Sequence, residues 1–475
     1  MRTSRIRRGV APVAAMVMVA TLSACGVRWS DAQRASVLRA HASGSSADAT
    51  AGDAGGGDNG AAAGAGDTTA TTSGGGGGST ASGGSTSGGT SAAKGGTQTG
   101  KAAASSLPCA AASTAPGVTK DTITVSNIST VSGPVPGLGA TAVAAVRAYA
   151  AYRNSTGGVC GRKIDVKTAD DGNDSGRFRS LLADFASRTL GMVGNFAGGD
   201  GGGADLVEQL KYPSVVEAFS DQFQNASPVF DMNPPPASPK QVIGKYKYLV
   251  AHGVQKAALV TLATDPSILQ LNLQQSLMEA AGIKIVNKQE LPLSTLNFDS
   301  AARNVANSGA DYLFFLAAAQ HDAGMAQSMR GTGYKLKFEE YLTGYGTNYI
   351  DLAGDAANGT TSWIRSLPNE EPNTVPEQKA YLEWMDQTAP DQPADTFAVD
   401  SWAEAKAFFD SLEKLPGPIT RDAVLAQLRT LTSYDAGGLL GTINLAKKVS
   451  NNCFIAMIVV NGKWKRAAPD KGFLC

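Results

Sequence analysis

The sequence predicts an α/β fold in two lobes, each a parallel sheet flanked by helices, and three observations carry it. From Thr122 onward, short β-branched and apolar runs alternate with longer helical stretches, the order expected of βαβ units. A proline-rich interruption, Asn233-Pro234-Pro235-Pro236 through Pro239, divides the series, and the same rhythm restarts behind it. The 475 residues suffice for two or three domains with cores of their own.

Each element has its own signal. Residues 122–128 alternate β-branched side chains as a strand does, and a Gly/Pro loop over 132–139 follows. Residues 140–154 are alanine-rich and helical, stopped by Gly157-Gly158. Strands are expected at 163–169, 192–195 and 214–217, with helices at 175–189 and 204–211. Behind the prolines, a strand at 257–262 leads to Asp265-Pro266, which reads as an N-cap with proline at the first helical position. Strands at 283–287, 312–316 and 340–342 continue the series with helices between them. Helices at 377–388 and 398–415 precede a hairpin turning at Asn461-Gly462.

Composition narrows the function. The 41 basic and 41 acidic residues balance, so the folded part has no electrostatic reason to bind nucleic acid. Three histidines leave little material for metal or general-base chemistry, and no metal or cofactor is expected. No G-x-S-x-G, H-E-x-x-H or C-x-x-C occurs. The near P-loop Gly95 to Gly100-Lys101 lacks its Ser or Thr and a preceding strand, and it reads as chance.

The N-terminus reads as an export signal. Arg2, Arg5, Arg7 and Arg8 precede an apolar run over 10–22 that is too short to span a bilayer. The run ends in Leu22-Ser23-Ala24-Cys25-Gly26, which resembles the bacterial lipobox. That resemblance implies a signal peptide over 1–24 and lipidation of Cys25, placing the protein outside the cytoplasm on the bacterial cell membrane. The alternative is an ordinary secretory signal with an Ala-x-Ala-like cleavage site. Residues 25–107 are rich in Gly, Ser, Thr and Ala, too polar and small to bury a core, and form a flexible linker with an r.m.s. reach of roughly 50 Å. The four remaining cysteines, Cys109, Cys160, Cys453 and Cys475, read as disulfides in an exported chain. Three pairings are open; Cys109–Cys160 and Cys453–Cys475 are favoured because each pair brackets neighbouring elements.

Gly117-Val118-Thr119-Lys120-Asp121-Thr122-Ile123, Ser132-Gly133-Pro134, Gly157-Gly158-Val159, Gly161-Arg162-Lys163 and Asp170-Asp171 occur in order. This series resembles the substrate-binding proteins of branched-chain amino acid ABC transporters, the type I periplasmic binding fold. The resemblance implies two Rossmann-like lobes joined by three hinge crossovers, with the ligand between them at the carboxyl ends of the strands. Hinges then fall near 236, over 358–363 and over 436–441. Lobe 1 comprises 108–235 plus 363–435, and lobe 2 comprises 236–362 plus 436–475. The implied partners are a small solute (an amino acid, amide, or organic or aromatic acid) and an ABC permease. A ligand-sensing receptor of the same fold is the alternative.

Carried over position by position, the first loop offers Ser132 and Leu138, where relatives often place an aromatic ring. After the third strand, relatives carry hydroxyls that hold a carboxylate; here the stretch holds Gly198, Gly199 and Asp200, which argues against that role. Ser220 and Asp221 fall near the next contact. In the second lobe Thr264, Gln320 and Tyr345 each follow a strand, at 257–262, 312–316 and 340–342. Asp265 is expected to be spent as a helix cap, and His321 to be a helix-start or surface residue rather than a ligand contact. Tyr345 stands where amino acid-binding relatives place an acid for the ligand's ammonium group. These departures predict a neutral or aromatic solute, an amide or an organic acid, with weak or no binding of leucine, isoleucine and valine.

Overall fold

A computed structural model of the chain describes residues 107–133, 137–234, 236, 238–240, 243–450 and 452–475. The leader, Cys25, the linker through residue 106, and Pro134 and Pro136 of the first loop lie outside the described residues.

The first sheet has five strands: β1 (Thr122–Ser129), β2 (Lys163–Asp170), β3 (Met192–Phe196), β4 (Ser214–Glu217) and β5 (Val229–Asp231). They run in the order β2-β1-β3-β4-β5, every pair parallel. Helices α1 (Ala140–Ser155), α2 (Ser175–Arg188), α3 (Ala204–Gln209) and α4 (Asp221–Asn225) connect them. Strand β3 is buried along its whole length, Asn195 included, as befits a strand covered on both faces. Gly194 has φ +66°, and a Cβ there would stand 2.0 Å from Val146 Cγ2, so glycine lets α1 lie close on β3. Gly158 has φ +82° and would place a Cβ 1.9 Å from the Arg162 carbonyl oxygen. That contact explains the glycine turn between α1 and β2.

The second sheet has seven strands: β6 (Lys256–Leu262), β7 (Lys284–Leu291), β8 (Tyr312–Leu316), β9 (Phe338–Tyr341), β10 (Thr360–Ile364), β11 (Ile455–Val460) and β12 (Lys463–Ala468). Their order is β12-β11-β10-β9-β8-β6-β7; β6 to β10 are parallel, and the C-terminal hairpin adds antiparallel. Helices α5 (Gly244–Ala251), α6 (Asp265–Ala280), α7 (Asp299–Ser308), α8 (Ala319–Thr332) and α9 (Tyr349–Ala353) belong to this series. The chain then returns to the first sheet as α10 (Pro376–Thr388), α11 (Thr396–Glu413) and α12 (Arg421–Leu428). There Trp402, Phe408, Phe409 and Leu425 share one core with Tyr149, Val193 and Val215.

Three crossovers therefore join the two sheets, after β5, after β10 and before β11. They run side by side. The Arg365 guanidinium donates to the Met232 carbonyl at 3.1 Å. Gly441 N–H donates to the Arg365 carbonyl and Leu367 N–H to that of Leu439, both at 2.9 Å.

Several expectations are corrected. The stretch 358–363, read as a crossover, is largely strand β10, and the chain leaves the sheet after Ile364. Strands β5 and β10 and helices α4, α5, α9 and α12 were not anticipated from the sequence. The helix-capping oxygen at 264–266 belongs to Thr264, which accepts from Ser267 N–H, and Asp265 is the first helical residue. Strand β7 extends to Leu291, past the expected 287. Its residues are half-buried or exposed, so the edge strand carries no apolar run to mark its end.

Both favoured disulfides form, Cys109–Cys160 and Cys453–Cys475. The first pins the short turn Pro108–Ala110 beside the start of β2. Buried Arg162 reinforces it by donating to the carbonyls of Cys109 (2.9 Å), Ala111 (2.8 Å) and Thr119 (2.6 Å).

Candidate functional site

Ligands of open α/β sheets bind beyond the carboxyl ends of the parallel strands. In the first lobe those loops are tied together by one acid. Asp171 is fully buried just past β2. Its Oδ1 accepts from Thr130 Oγ1 at 2.7 Å, and its Oδ2 accepts from Gly199 N–H at 3.0 Å. Thr130 Oγ1 accepts in turn from Gly198 N–H at 2.9 Å. The loops after β1, β2 and β3 are thus one hydrogen-bonded unit, and the amides of Gly198 and Gly199 are spent within it.

Ser132 is exposed, and its hydroxyl donates to Asp170. Partial burial works against ionisation of Asp170. The Ser132 hydroxyl and the N–H groups of Ser132, Val131 and Gly172 outweigh it and hold the carboxyl down at about 2. Leu138 is half-buried just before α1. Asp200, 2% exposed, points inward. Its oxygens accept from Phe219 N–H at 2.6 Å and Ser220 N–H at 3.1 Å. Burial pushes its carboxyl up to about 7 against those donors. Ser220 caps α4 by accepting from Phe223 N–H at 3.2 Å, while Asp221 is exposed in the first turn.

The second lobe repeats the pattern. Thr264 is used as a cap. Gln320 is exposed at the start of α8. His321 beside it is half-buried and lies edge-on to Phe298, with ring centroids 6.2 Å apart; burial lowers its imidazole pKa. Tyr345 is 2% exposed; its hydroxyl donates to Glu370 at 2.8 Å and accepts from Asn369 N–H at 2.7 Å. The side chains expected to meet a ligand through oxygen are therefore largely engaged in holding their own loops.

Apolar groups remain. Phe196 at the end of β3, Phe219 after β4 and Phe397 in the first turn of α11 form an aromatic trio. The Phe196 centroid lies 4.5 Å from that of Phe219 and 4.1 Å from that of Phe397. Phe219 and Phe397 are half-buried, so the trio keeps ring surface for another molecule. The Asp200 carboxylate fixes the backbone under Phe219. The second lobe carries the small, half-buried Ala317, Ala318 and Ala319 after β8.

The lobes meet beside this trio. A Cβ on Gly346, in the loop after β9, would come within 2.8 Å of Ala394 O and of Asp395 Cα. Asn369 Nδ2 donates to Ala394 O at 2.6 Å. Asp395 caps α11 through Ala398 N–H (2.9 Å) and accepts from Thr141 Oγ1 (3.1 Å). Burial pushes it up to about 7.

Sequence reasoning missed Asp171, Thr130, Phe219 and Phe397. In the sequence Asp170-Asp171 is only a piece of the family resemblance, because nothing there distinguishes a buried aspartate from its half-buried neighbour. Phe397 joins Phe196 only through the return of α11 to the first sheet.

The family model of periplasmic binding proteins matches residues 122–463. No curated protein is significantly similar to the chain in sequence. Among solved structures, a fatty acid ABC transporter substrate-binding protein from Thermomonospora curvata is 19% identical. The match covers 75% of this chain and 93% of that one, with a TM-score of 0.64. An ABC transporter solute-binding protein from R. palustris in complex with 4-hydroxybenzoate is 19% identical, covering 72% and 95%, with a TM-score of 0.58. The branched-chain amino acid transporter substrate-binding protein LivJ from Streptococcus pneumoniae, in complex with isoleucine, is 15% identical, covering 74% and 100%, with a TM-score of 0.60. At these identities the likeness is one of fold.

Proposed function

This chain belongs to the periplasmic binding protein family, and from that premise we propose that it captures a small solute between its two lobes and delivers it to an ABC permease. The observation that carries the reading is the junction itself. Three adjacent crossovers join the two sheets, and the loop after β9 of the second lobe packs against the connection between α10 and α11 of the first beside them. A ligand touching both lobes shifts such a pair toward closure by its differential affinity for the closed form. We assign the lobes as 108–235 plus 363–435 and 236–362 plus 436–475, with Trp363 and Ile364 still in β10 and Arg365 in the crossover at that boundary, and we assign no catalytic role.

The solute we propose has an aromatic or apolar body. Supporting this are the half-buried rings of Phe219 and Phe397, the alanines after β8, and the commitment of Asp200, Ser220, Thr264 and Tyr345 to internal hydrogen bonds. Similar folds are described in complex with 4-hydroxybenzoate and with isoleucine, so the fold alone does not choose between these classes. Tyr345 itself supplies no charge and its hydroxyl engages the neighbouring Glu370, which disfavours an amino acid's ammonium group, whose transfer from water needs a paired charge. Ser132, Leu138, Gly198, Gly199, Asp221 and Gln320 then shape the rim.

We further propose that Cys25 carries the lipid anchor outside the cytoplasm, with the Gly/Ser-rich linker as tether. Shortening the linker is expected to impair uptake in cells while leaving solute affinity unchanged. The binding reading is tested by a thermal-shift screen of the chain against aromatic acids, aliphatic acids, amides and amino acids. A true solute at 100 times its dissociation constant adds ~2.7 kcal/mol of stability. A folded sample silent to the whole panel would count against solute capture.

A further inference from the structure

A buried acid cluster sits where the crossovers meet. Glu217 ends β4, Asp231 ends β5, and Asp400 and Glu404 lie one turn apart on the inward face of α11. Asp231 and Glu404 are fully buried and Asp400 is 5% exposed, while Glu217 is half-buried. One guanidinium serves them. Arg365, the first residue past β10, pairs with Asp400. The same residue bonds the first crossover through Met232 O and the third through Gly441 N–H. Glu217 accepts from Asn233 Nδ2 at 2.9 Å. Asp231 accepts from Gln224 Nε2 and, at 2.9 Å, from Asn233 N–H. Neither oxygen of Glu404 has a hydrogen-bond partner.

Four ionised carboxylates around one guanidinium would bury a large uncompensated charge, which a protein interior does not sustain. Among the described residues, acids do not converge as a metal cage. Protons are then the remaining counter-charge. We propose that this cluster is a proton-binding site built into the hinge, in which Arg365 and protons compete to neutralise the same carboxylates. Arg365 belongs to a crossover, whereas the acids belong to the first sheet and α11. Rotation of the lobes about the crossovers changes the distance between them. Seating Arg365 releases protons; withdrawing it takes protons up. Raising the pH therefore favours the seated arrangement seen here, and lowering it favours rotation away.

The surroundings agree with that sign. Burial first, then the Asp400 carboxylate, raises Glu217. Burial alone is the main cause raising Asp231, to about 6, and Asp400, with Arg365 opposing in both. Burial, then Glu217, Asp400 and Asp231, raises Glu404. The other charged or titratable groups facing the cluster are Asp200 and Asp395 from neighbouring loops, Tyr381 from α10, and Lys448 from the third crossover. Lys448 donates to the Gln224 and Ala226 carbonyls at 2.6 and 2.7 Å. It therefore adds distant compensation to Asp231 rather than a second ion pair.

The inference rests on lobe rotation and not on the solute's identity, so it needs no ligand. Spin labels on exposed Ala183 of α2 and Ser276 of α6, placed by Ala183→Cys and Ser276→Cys in a full chain carrying Cys25→Ser, report the inter-lobe distance by pulsed electron resonance. The expected result is a distance distribution that shifts between about pH 5 and about pH 9. Glu404→Gln, isosteric and unable to ionise, displaces the midpoint, and Arg365→Met abolishes the shift. An unchanged distribution across this range in the parent chain overturns the proposal. So does an undisplaced midpoint in Glu404→Gln, which decides the matter if Arg365→Met fails to fold. Neither outcome touches solute capture, which is read separately from melting at fixed pH.

Discussion

Asp170 and Asp395 show how far neighbours set an aspartate's chemistry. Asp170 accepts three N–H groups and a hydroxyl at the mouth of β2 and is held at about 2. Asp395, sealed at the start of α11, is raised to about 7 chiefly by burial, as is Asp200. The signs differ. The contribution of Asp170 is present above its unfolded value near 4 and is lost as pH falls toward 2. Asp200 and Asp395 bind protons more tightly folded than unfolded. Their contribution is complete below about 4 and is lost as pH rises through about 7. Thermal melts should thus show stability falling from about pH 5 to about pH 8. Asp395→Asn, which keeps a capping oxygen, should flatten that fall. At the same scale, Phe219→Ala should leave the fold intact but weaken binding of an aromatic solute by about 1–3 kcal/mol, measurable by titration. The sequence presented these residues as unremarkable. A buried aspartate and an exposed one look alike until a fold surrounds them, and the aromatic trio assembles from three distant parts of the chain.

Among the elements, legibility followed burial. Strands with continuous apolar runs, such as β8, and helices with capping or proline signals, such as α6 and α10, stood out in the sequence. Strand β5 spans only Val229–Asp231, too short for periodicity to register. Strand β10 reads Thr-Thr-Ser-Trp-Ile; its polar residues are buried by neighbours in the sheet, so by sequence alone the run resembles a crossover. The disulfides were readable as a set, because an exported chain with paired cysteines is expected to oxidise them. Removing Cys109–Cys160, which closes a separation of 51 residues, should cost about 2–4 kcal/mol. Urea unfolding of the Cys109→Ser, Cys160→Ser double variant checks this. Arg162, bonded to three carbonyls of that corner, should retain much of the local geometry, so the loss is expected without a change of fold.

The whole molecule is organised by its crossovers. The sheets, their order and the return of α10 to α12 to the first sheet make two lobes that share one junction, and every proposal about function depends on that junction. The two-lobed plan was legible because the proline-rich break split a repeating pattern. Ligand class was not, because it depends on which polar groups are left over after the loops have used theirs. The most direct test of solute capture is isothermal titration calorimetry of the chain with an aromatic carboxylic acid and, side by side, with leucine. Saturable one-to-one heat for the aromatic acid, with a negative heat-capacity change as ring surface is buried, and none for leucine, is the predicted result. Saturable heat for leucine with silence from aromatic and aliphatic acids would contradict the account of the cleft.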